Sequence, residues 1–170
     1  NKSLIQTTHE EMNKILVVAV IMIFVVLCLA TTAWTEPILF LLVMGVAVLL
    51  NKGTNIFIGT ISFLTDNVAI ILQLATSMDY SIFLLDAYMN WRDTGLSEEE
   101  AIVKAVEEAI NSIFASSLTT VVGFLALVTM KFNIGFDMGL VLAKGIIFSL
   151  LTVVLFMPAM ILKFTKWNDK

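Results

Sequence analysis

The chain has 170 residues, of which 59% are hydrophobic and 14% are charged, and its formal net charge is −4. A soluble domain has roughly 45–50% apolar and about 25% charged residues, whereas the mean hydropathy here is +0.95. The ten basic residues form no Lys/Arg run, so the chain lacks the electrostatic footprint of a nucleic-acid binder. The composition indicates a polytopic membrane protein.

The first two predicted elements are apolar helices over about 14–32 and 37–50. A helix that crosses a hydrocarbon core of about 30 Å needs roughly 20 mostly apolar residues. The first helix follows the acidic Glu10 and no basic segment, which argues against a cleavable signal peptide. Because the chain opens on Asn1, we interpret it as part of a larger protein, with residues 1–13 as an extracytoplasmic lead-in.

Three further spans are predicted over about 68–88, 111–130 and 138–162. Residues 97–110 between the third and fourth spans have helical apolar spacing and begin with a Ser-x-x-Glu capping box at Ser97. They predict an amphipathic helix that leads into the fourth span. Since lipid offers no water to the backbone, the sequence predicts an all-α integral membrane protein, a bundle of five transmembrane helices.

An odd number of spans places the two chain ends on opposite sides of the membrane. The positive-inside rule favours the side with more Lys and Arg outside the spans as the cytoplasmic one. This predicts a plasma-membrane protein with an extracytoplasmic N-terminus and residues 165–170 as a cytoplasmic tail. The side of the N-terminus carries Lys2, Lys14, Lys52 and Lys131, and the side of the C-terminus carries Arg92, Lys104, Lys163, Lys166 and Lys170.

Asp79 lies near the middle of the third predicted span, about 18 Å from Asn67 and 15 Å from Met89 by helical rise. A carboxylate at that depth is costly unless it is neutral, paired or hydrated, so a functional role is the default hypothesis. The alternative is a buried hydrogen-bond anchor between helices. We predict that Asp79 carries a proton. The neighbouring Tyr80 either offers its hydroxyl to a partner group or is an ordinary interior aromatic residue.

Other polar residues are candidates for relay support. Asp86 lies two turns beyond Asp79, where it either extends a hydrated path or reaches interfacial water. Lys144 in the fifth span either pairs with Asp79 or snorkels to the near surface. Hydroxyls on the fourth span either line a polar track or only hold helices together. They belong to Ser116, Ser117, Thr119 and Thr120, of which Ser116, Thr119 and Thr120 are the predicted relay supports.

The sequence contains no nucleotide-binding or metal-ligand spacing. His9 lies outside the spans without a partner motif, and the single cysteine, Cys28, lies in an apolar run. We therefore predict no cofactor, no metal and no enzymatic activity.

The segment LQLATSMDYSIFL, which begins at Leu72, resembles the resistance-nodulation-division superfamily and specifically its MMPL branch, whose fourth helix carries an Asp-Tyr pair. The similarity continues in LSEEEA from Leu96, which resembles the cytoplasmic helix after that span. SSLTTVVGF from Ser116 is similar to the fifth-helix signature, and the stretch from Gly145 through Pro158 to the sixth helix.

This resemblance implies that the five spans correspond to helices two to six of one six-helix half. It further implies that Asp79 and Tyr80 form a proton relay facing its counterpart in the other half, which drives export of lipids, drugs or other hydrophobic substrates. The implied partners are membrane lipids, protons, such a substrate, the other half and an extracytoplasmic porter domain. Two alternatives stay open: a sterol-sensing module that binds lipid without transport, and an inactive scaffold.

Overall fold

The structure is a computed structural model that describes residues 2–31 and 36–168. Over these residues the chain contains five α-helices, a short 3-10 helix after the second, and no strand. The helices are α1 (Lys2–Ala30), α2 (Glu36–Thr54), α3 (Phe63–Asp93), α4 (Glu98–Leu127) and α5 (Asn133–Asn168), and the 3-10 helix is Asn55–Phe57. The connection between the first two predicted spans, residues 33–36, lies mostly outside the described residues.

All five helices contain a stretch that is long and apolar enough to cross a membrane. This confirms the predicted all-α integral membrane bundle. The helices extend beyond the predicted spans: α1 begins at Lys2, and the predicted elements over 97–110 and 111–130 form one continuous helix, α4. Hydropathy locates the lipid-embedded part of a helix, whereas backbone hydrogen bonds continue into water until a residue interrupts them.

The turn between α3 and α4 is built from local signals that the sequence contains. Gly95 takes a positive φ of 89° that suits glycine. The predicted capping box is confirmed, because Ser97 Oγ accepts from the Glu100 backbone N–H at 3.3 Å while Glu100 Oε2 accepts from the Ser97 N–H at 3.2 Å. These contacts fix the point at which α4 begins.

Helix α3 lies at the centre of the bundle and contacts each of the other four helices. Phe40 and Met44 of α2, Leu84 of α3 and Met157 of α5 are almost completely buried in the main apolar cluster. In a bilayer such contacts stabilise the bundle through close packing, because lipid tails are as apolar as the side chains.

Polar contacts near the end of α2 connect three helices. Asn51 Nδ2 donates to Gln73 Oε1 at 3.0 Å, and Gln73 Nε2 donates to the Ala47 carbonyl at 2.8 Å. A Cβ added at Gly145 would lie 2.9 Å from Asn51 Nδ2, so α5 passes close to this amide pair. The sequence places Gln73 and Asn51 in α3 and α2, and the fold makes them each other's partners.

Candidate functional site

Asp79 and Tyr80 lie near the middle of α3, with 16 helical residues before Asp79 and 13 after Tyr80. Successive helical residues point about 100° apart. The Tyr80 side chain therefore lies inside the bundle with 8% of its surface exposed, while Asp79 lies on the outer surface. Among the described residues Asp79 has neither a hydrogen bond nor an ion pair, so it does not anchor the helices of this part of the chain to each other.

A groove of about 280 Å³ runs between α3 and α4 beside the Asp79 carboxyl group. Both helices contribute polar and apolar side chains to its lining. The lining residues are Asp79, Tyr80, Phe83, Ser112, Ile113 and Ser116. The groove therefore brings the acid together with hydroxyl groups at one level of the bundle.

Tyr80 is held by a residue that the sequence analysis did not select for the relay. Ser117 Oγ donates a hydrogen bond to Tyr80 Oη at 2.8 Å, and both side chains are buried. The phenol accepts this bond, so its own O–H stays free to donate. Ser117 continues the buried face of α4 four residues after Ile113, and that spacing is the signal that distinguishes it from its neighbours.

The four hydroxyls of the fourth span therefore separate into two groups. Ser116 lines the groove and Ser117 contacts Tyr80. Thr119 and Thr120 donate back to their own helix, to the carbonyls of Ala115 and Ser116, each at 3.0 Å. The structure does not bring these two threonines to the groove.

Asp86 also lies on the exposed side of α3, outside the groove lining. Seven helical residues separate it from Asp79, a rise of about 10 Å. The structure thus places the two carboxylates on the same outer surface without direct contact.

Lys144 is directed to the end of α2. Its Nζ donates to the Asn51 carbonyl at 3.0 Å and to Asn55 Oδ1 at 2.5 Å. The last carbonyls of a helix lack partners and carry partial negative charge, so an ammonium is stabilised there. The sequence alternative in which Lys144 pairs with Asp79 is not realised in the described chain, because Lys144 Nζ contacts Asn51 and Asn55 instead.

Within the described part of the chain, no group of three or more His, Cys, Asp or Glu side chains is placed to hold a metal ion. The chemistry that the groove residues themselves offer is proton binding by a carboxyl group and hydrogen bonding by hydroxyls.

The fold and the apolar helices define a multi-pass helical membrane protein. The chain belongs to the MMPL family, whose family model matches residues 1–170. A putative membrane protein of Methanocaldococcus jannaschii is 39% identical over 90 residues, which cover 53% of this chain and 23% of that protein. No solved structure matches the chain.

Two further relatives match over more of the chain. The membrane protein YdfJ of Bacillus subtilis is 26% identical over 150 residues, 85% of this chain and 20% of YdfJ. The probable transport protein MmpL9 of Mycobacterium tuberculosis is 27% identical over 150 residues, again 85% of this chain but 15% of MmpL9. The chain thus spans less than a quarter of the length of each of these three relatives.

Proposed function

We propose that this chain is a transmembrane part of a proton-driven transporter that exports lipids, drugs or other hydrophobic substrates, with Asp79 as the proton carrier. The observation that carries the proposal is a carboxyl group at mid-helix that lines a hydroxyl-bearing groove and has no partner in the described chain. Membership of the MMPL family, with relatives described as probable transport proteins, supports a membrane transporter.

The chemistry follows from the cost of charge in lipid. An ionised Asp79 needs a polar partner or water, whereas the protonated acid tolerates an apolar neighbour far better. Proton binding therefore changes which surface the groove can face, and this biases the bundle between two arrangements. Tyr80 is the proposed relay partner, because its hydroxyl is buried beside the groove and is held by Ser117.

The outward position of Asp79 calls for a polar surface opposite the groove. A charged side chain that faced lipid tails at this depth would be strongly disfavoured. We therefore propose the second transmembrane half as the partner that covers the groove, and an extracytoplasmic porter domain as the element that selects the substrate. The C-terminus is proposed to be cytoplasmic and the membrane to be the plasma membrane.

The test is Asp79→Asn in the protein as its gene encodes it, reconstituted into proteoliposomes. Asparagine keeps the size and hydrogen bonding of the acid but cannot exchange a proton. Two rates are measured: acidification of the vesicle lumen, read with pyranine, and movement of ethidium or an NBD-labelled phospholipid. We expect both rates to fall at least tenfold. Asp86→Asn, on the same surface but outside the groove, is the matched control and should retain most activity.

Near-normal transport by the Asp79→Asn protein under a proton gradient would overturn the relay. In that case a lipid-binding module is the second candidate, which the apolar groove residues Phe83 and Ile113 favour. A photoactivatable phospholipid would then label α3 and α4 with equal yield in the wild type and in Asp79→Asn, at every pH.

A further inference from the structure

The groove beside Asp79 extends in one direction along the bundle. Two hydrogen bonds fix how α3 and α4 face each other. Ser117 Oγ donates to Tyr80 Oη at 2.8 Å, at mid-span. Near the α3–α4 turn, Trp91 Nε1 donates to Glu108 Oε2 at 2.9 Å. The second contact lies later on α3 and earlier on α4, so the two helices run antiparallel with matched levels over this stretch.

The lining residues place Asp79 at the inner end of the groove. Among the described residues, none before Asp79 on α3 and none after Ser116 on α4 lines it. Toward the α3–α4 turn, the lining continues to Phe83 on α3 and to Ser112 on α4. By helical rise Ser112 lies about 6 Å nearer that turn than Ser116. The groove therefore leads from the acid toward the turn and not the other way.

Polar side chains continue beyond the groove on the side of the turn. Asp86 follows Asp79 by two turns on the same face of α3, and Glu108 precedes Ser112 by about one turn on α4. Both carboxylates are exposed. Glu108 lies about 13 Å from the level of Ser117, close to the edge of a hydrocarbon core about 30 Å thick. Polar groups therefore connect the groove to the level of interfacial water.

In the opposite direction the same faces are apolar or already hydrogen-bonded. Ala75 and Leu72 lie one and two turns before Asp79 on its face of α3. Thr120 lies one turn after Ser116 on α4, and its hydroxyl donates back to the Ser116 carbonyl at 3.0 Å. Water is disfavoured along a surface that offers it few hydrogen bonds. The side chains therefore favour hydration of Asp79 from the side of the turn.

We propose that Asp79 exchanges its proton with the side of the membrane that carries the α3–α4 turn, through water held in the groove by Ser116 and Ser112. That side is the one proposed to be cytoplasmic. The groove volume of about 280 Å³ holds several water molecules. One water spans the axial step of about 6 Å between the two hydroxyls, with two hydrogen bonds of about 2.8 Å.

The proton moves along this water in a balanced step. The protonated carboxyl group gives its proton to the first water, the last water releases one to the aqueous phase, and Asp79 is left as the carboxylate. Uptake runs the same path in reverse. The two serines are positioning residues, because they orient the water and do not themselves bind the exchanged proton. The inference rests on the proposed function, since a second half must cover the groove to keep lipid out.

Thiol accessibility tests the direction of the route. Ser112→Cys and Thr120→Cys form a matched pair, because each lies one turn from Ser116 on one face of α4. Each is made in the protein as its gene encodes it, with the native cysteines, Cys28 among them, replaced by alanine. Vesicles of both orientations are treated with the membrane-impermeant reagent MTSET. We expect Ser112→Cys to react at least tenfold faster from the side of the turn than from the other side.

Two exposed reference positions identify the sides: Asp93→Cys at the α3–α4 turn and Lys131→Cys between α4 and α5. Thr120→Cys should react slowly from both sides. The proposal is overturned if Ser112→Cys reacts from the opposite side, equally from both sides or not at all while the reference positions react.

Proton flux into the same vesicles, read with pyranine, gives a second measurement. Ser112→Leu fills the groove and should slow acidification at least fivefold, whereas Ser112→Thr retains the hydroxyl and should restore it. Unchanged flux in Ser112→Leu contradicts the route even if Asp79→Asn is inactive. If Asp79→Asn transports normally while Ser112→Cys reacts from the side of the turn, the relay itself is overturned and only the hydration of the groove stands.

Discussion

The two polar faces of α3 differ in where their partners come from. On the face toward α2 and α5, Gln73 and Ser77 are hydrogen-bonded inside the bundle. On the outer face, Asp79 lines an open groove and has no partner among the described residues. A paired polar group in a membrane bundle mainly holds helices together, whereas an unpaired acid at mid-depth needs something from outside its own bundle. The inner face of α3 thus carries residues that hold the bundle together, and the outer face carries the residue that is proposed to bind the proton.

The substitution with the largest expected effect lies on the outer face of α3. Asp79→Asn should abolish proton-coupled transport yet leave the thermal midpoint unchanged or higher, since no bond within the described chain is lost. Fluorescence-detected size-exclusion after heating measures the stability of the purified protein. A strong loss of stability in this variant would mean that Asp79 is structural after all.

Gln73→Leu should have the largest effect on stability, because it removes two hydrogen bonds and leaves the buried Asn51 amide without a partner. The expected loss is about 2–4 kcal/mol by the cost of orphaned buried polar groups. Reversible unfolding in SDS and mixed micelles measures it. Thr119→Val, which removes only a bond within α4, is the control with little expected change.

Gly139→Ala probes close packing without touching a polar group. The added Cβ would lie 2.7 Å from the Phe124 carbonyl oxygen and from Val128 Cγ2, so α4 and α5 must separate. We expect a loss of about 1–3 kcal/mol from overpacking. Gly123→Ala is the matched control, because a Cβ there meets nothing within 4 Å and alanine favours the helix. Equal effects at both glycines would contradict the helix contact.

We expect the smallest effect from Ser117→Ala, which tests whether the contact with Tyr80 is only structural or also supports transport. Loss of its hydrogen bond to Tyr80 should cost about 1 kcal/mol of stability. It should also lower transport several-fold, because the phenol is no longer held in one orientation. Ser117→Thr retains the hydroxyl and should restore transport. If Ser117→Ala lowers stability but leaves the pH profile of transport unchanged, Ser117 is structural only.

Much of the fold follows from the sequence because hydropathy reports depth in the membrane directly. The five spans and the capping box at Ser97 needed only apolar runs and local spacing. Depth also located Asp79 at mid-span. Hydropathy does not specify which side of each helix points into the bundle, because packing against neighbouring helices sets that orientation.

This missing direction explains where the site prediction and the structure differ. Thr119 and Ser117 lie at similar depth, but only Ser117 continues the buried face of α4 and reaches Tyr80. The depth of Lys144 on α5 did not determine its partner. The packing of α5 against α2 directs its side chain to Asn55. Both outcomes needed the relative rotation of two helices, which no single segment encodes.

The length of α1 has a mechanical consequence. Its 29 residues form one helix of about 43 Å, longer than a hydrocarbon core of about 30 Å. A polar segment outside the bilayer and an apolar segment inside it are thus two ends of one stiff rod, without a flexible joint at the water surface. Little of the apolar segment is buried against the rest of the bundle, and Leu27 is its buried contact. When one end of α1 tilts, the other end therefore tilts with it.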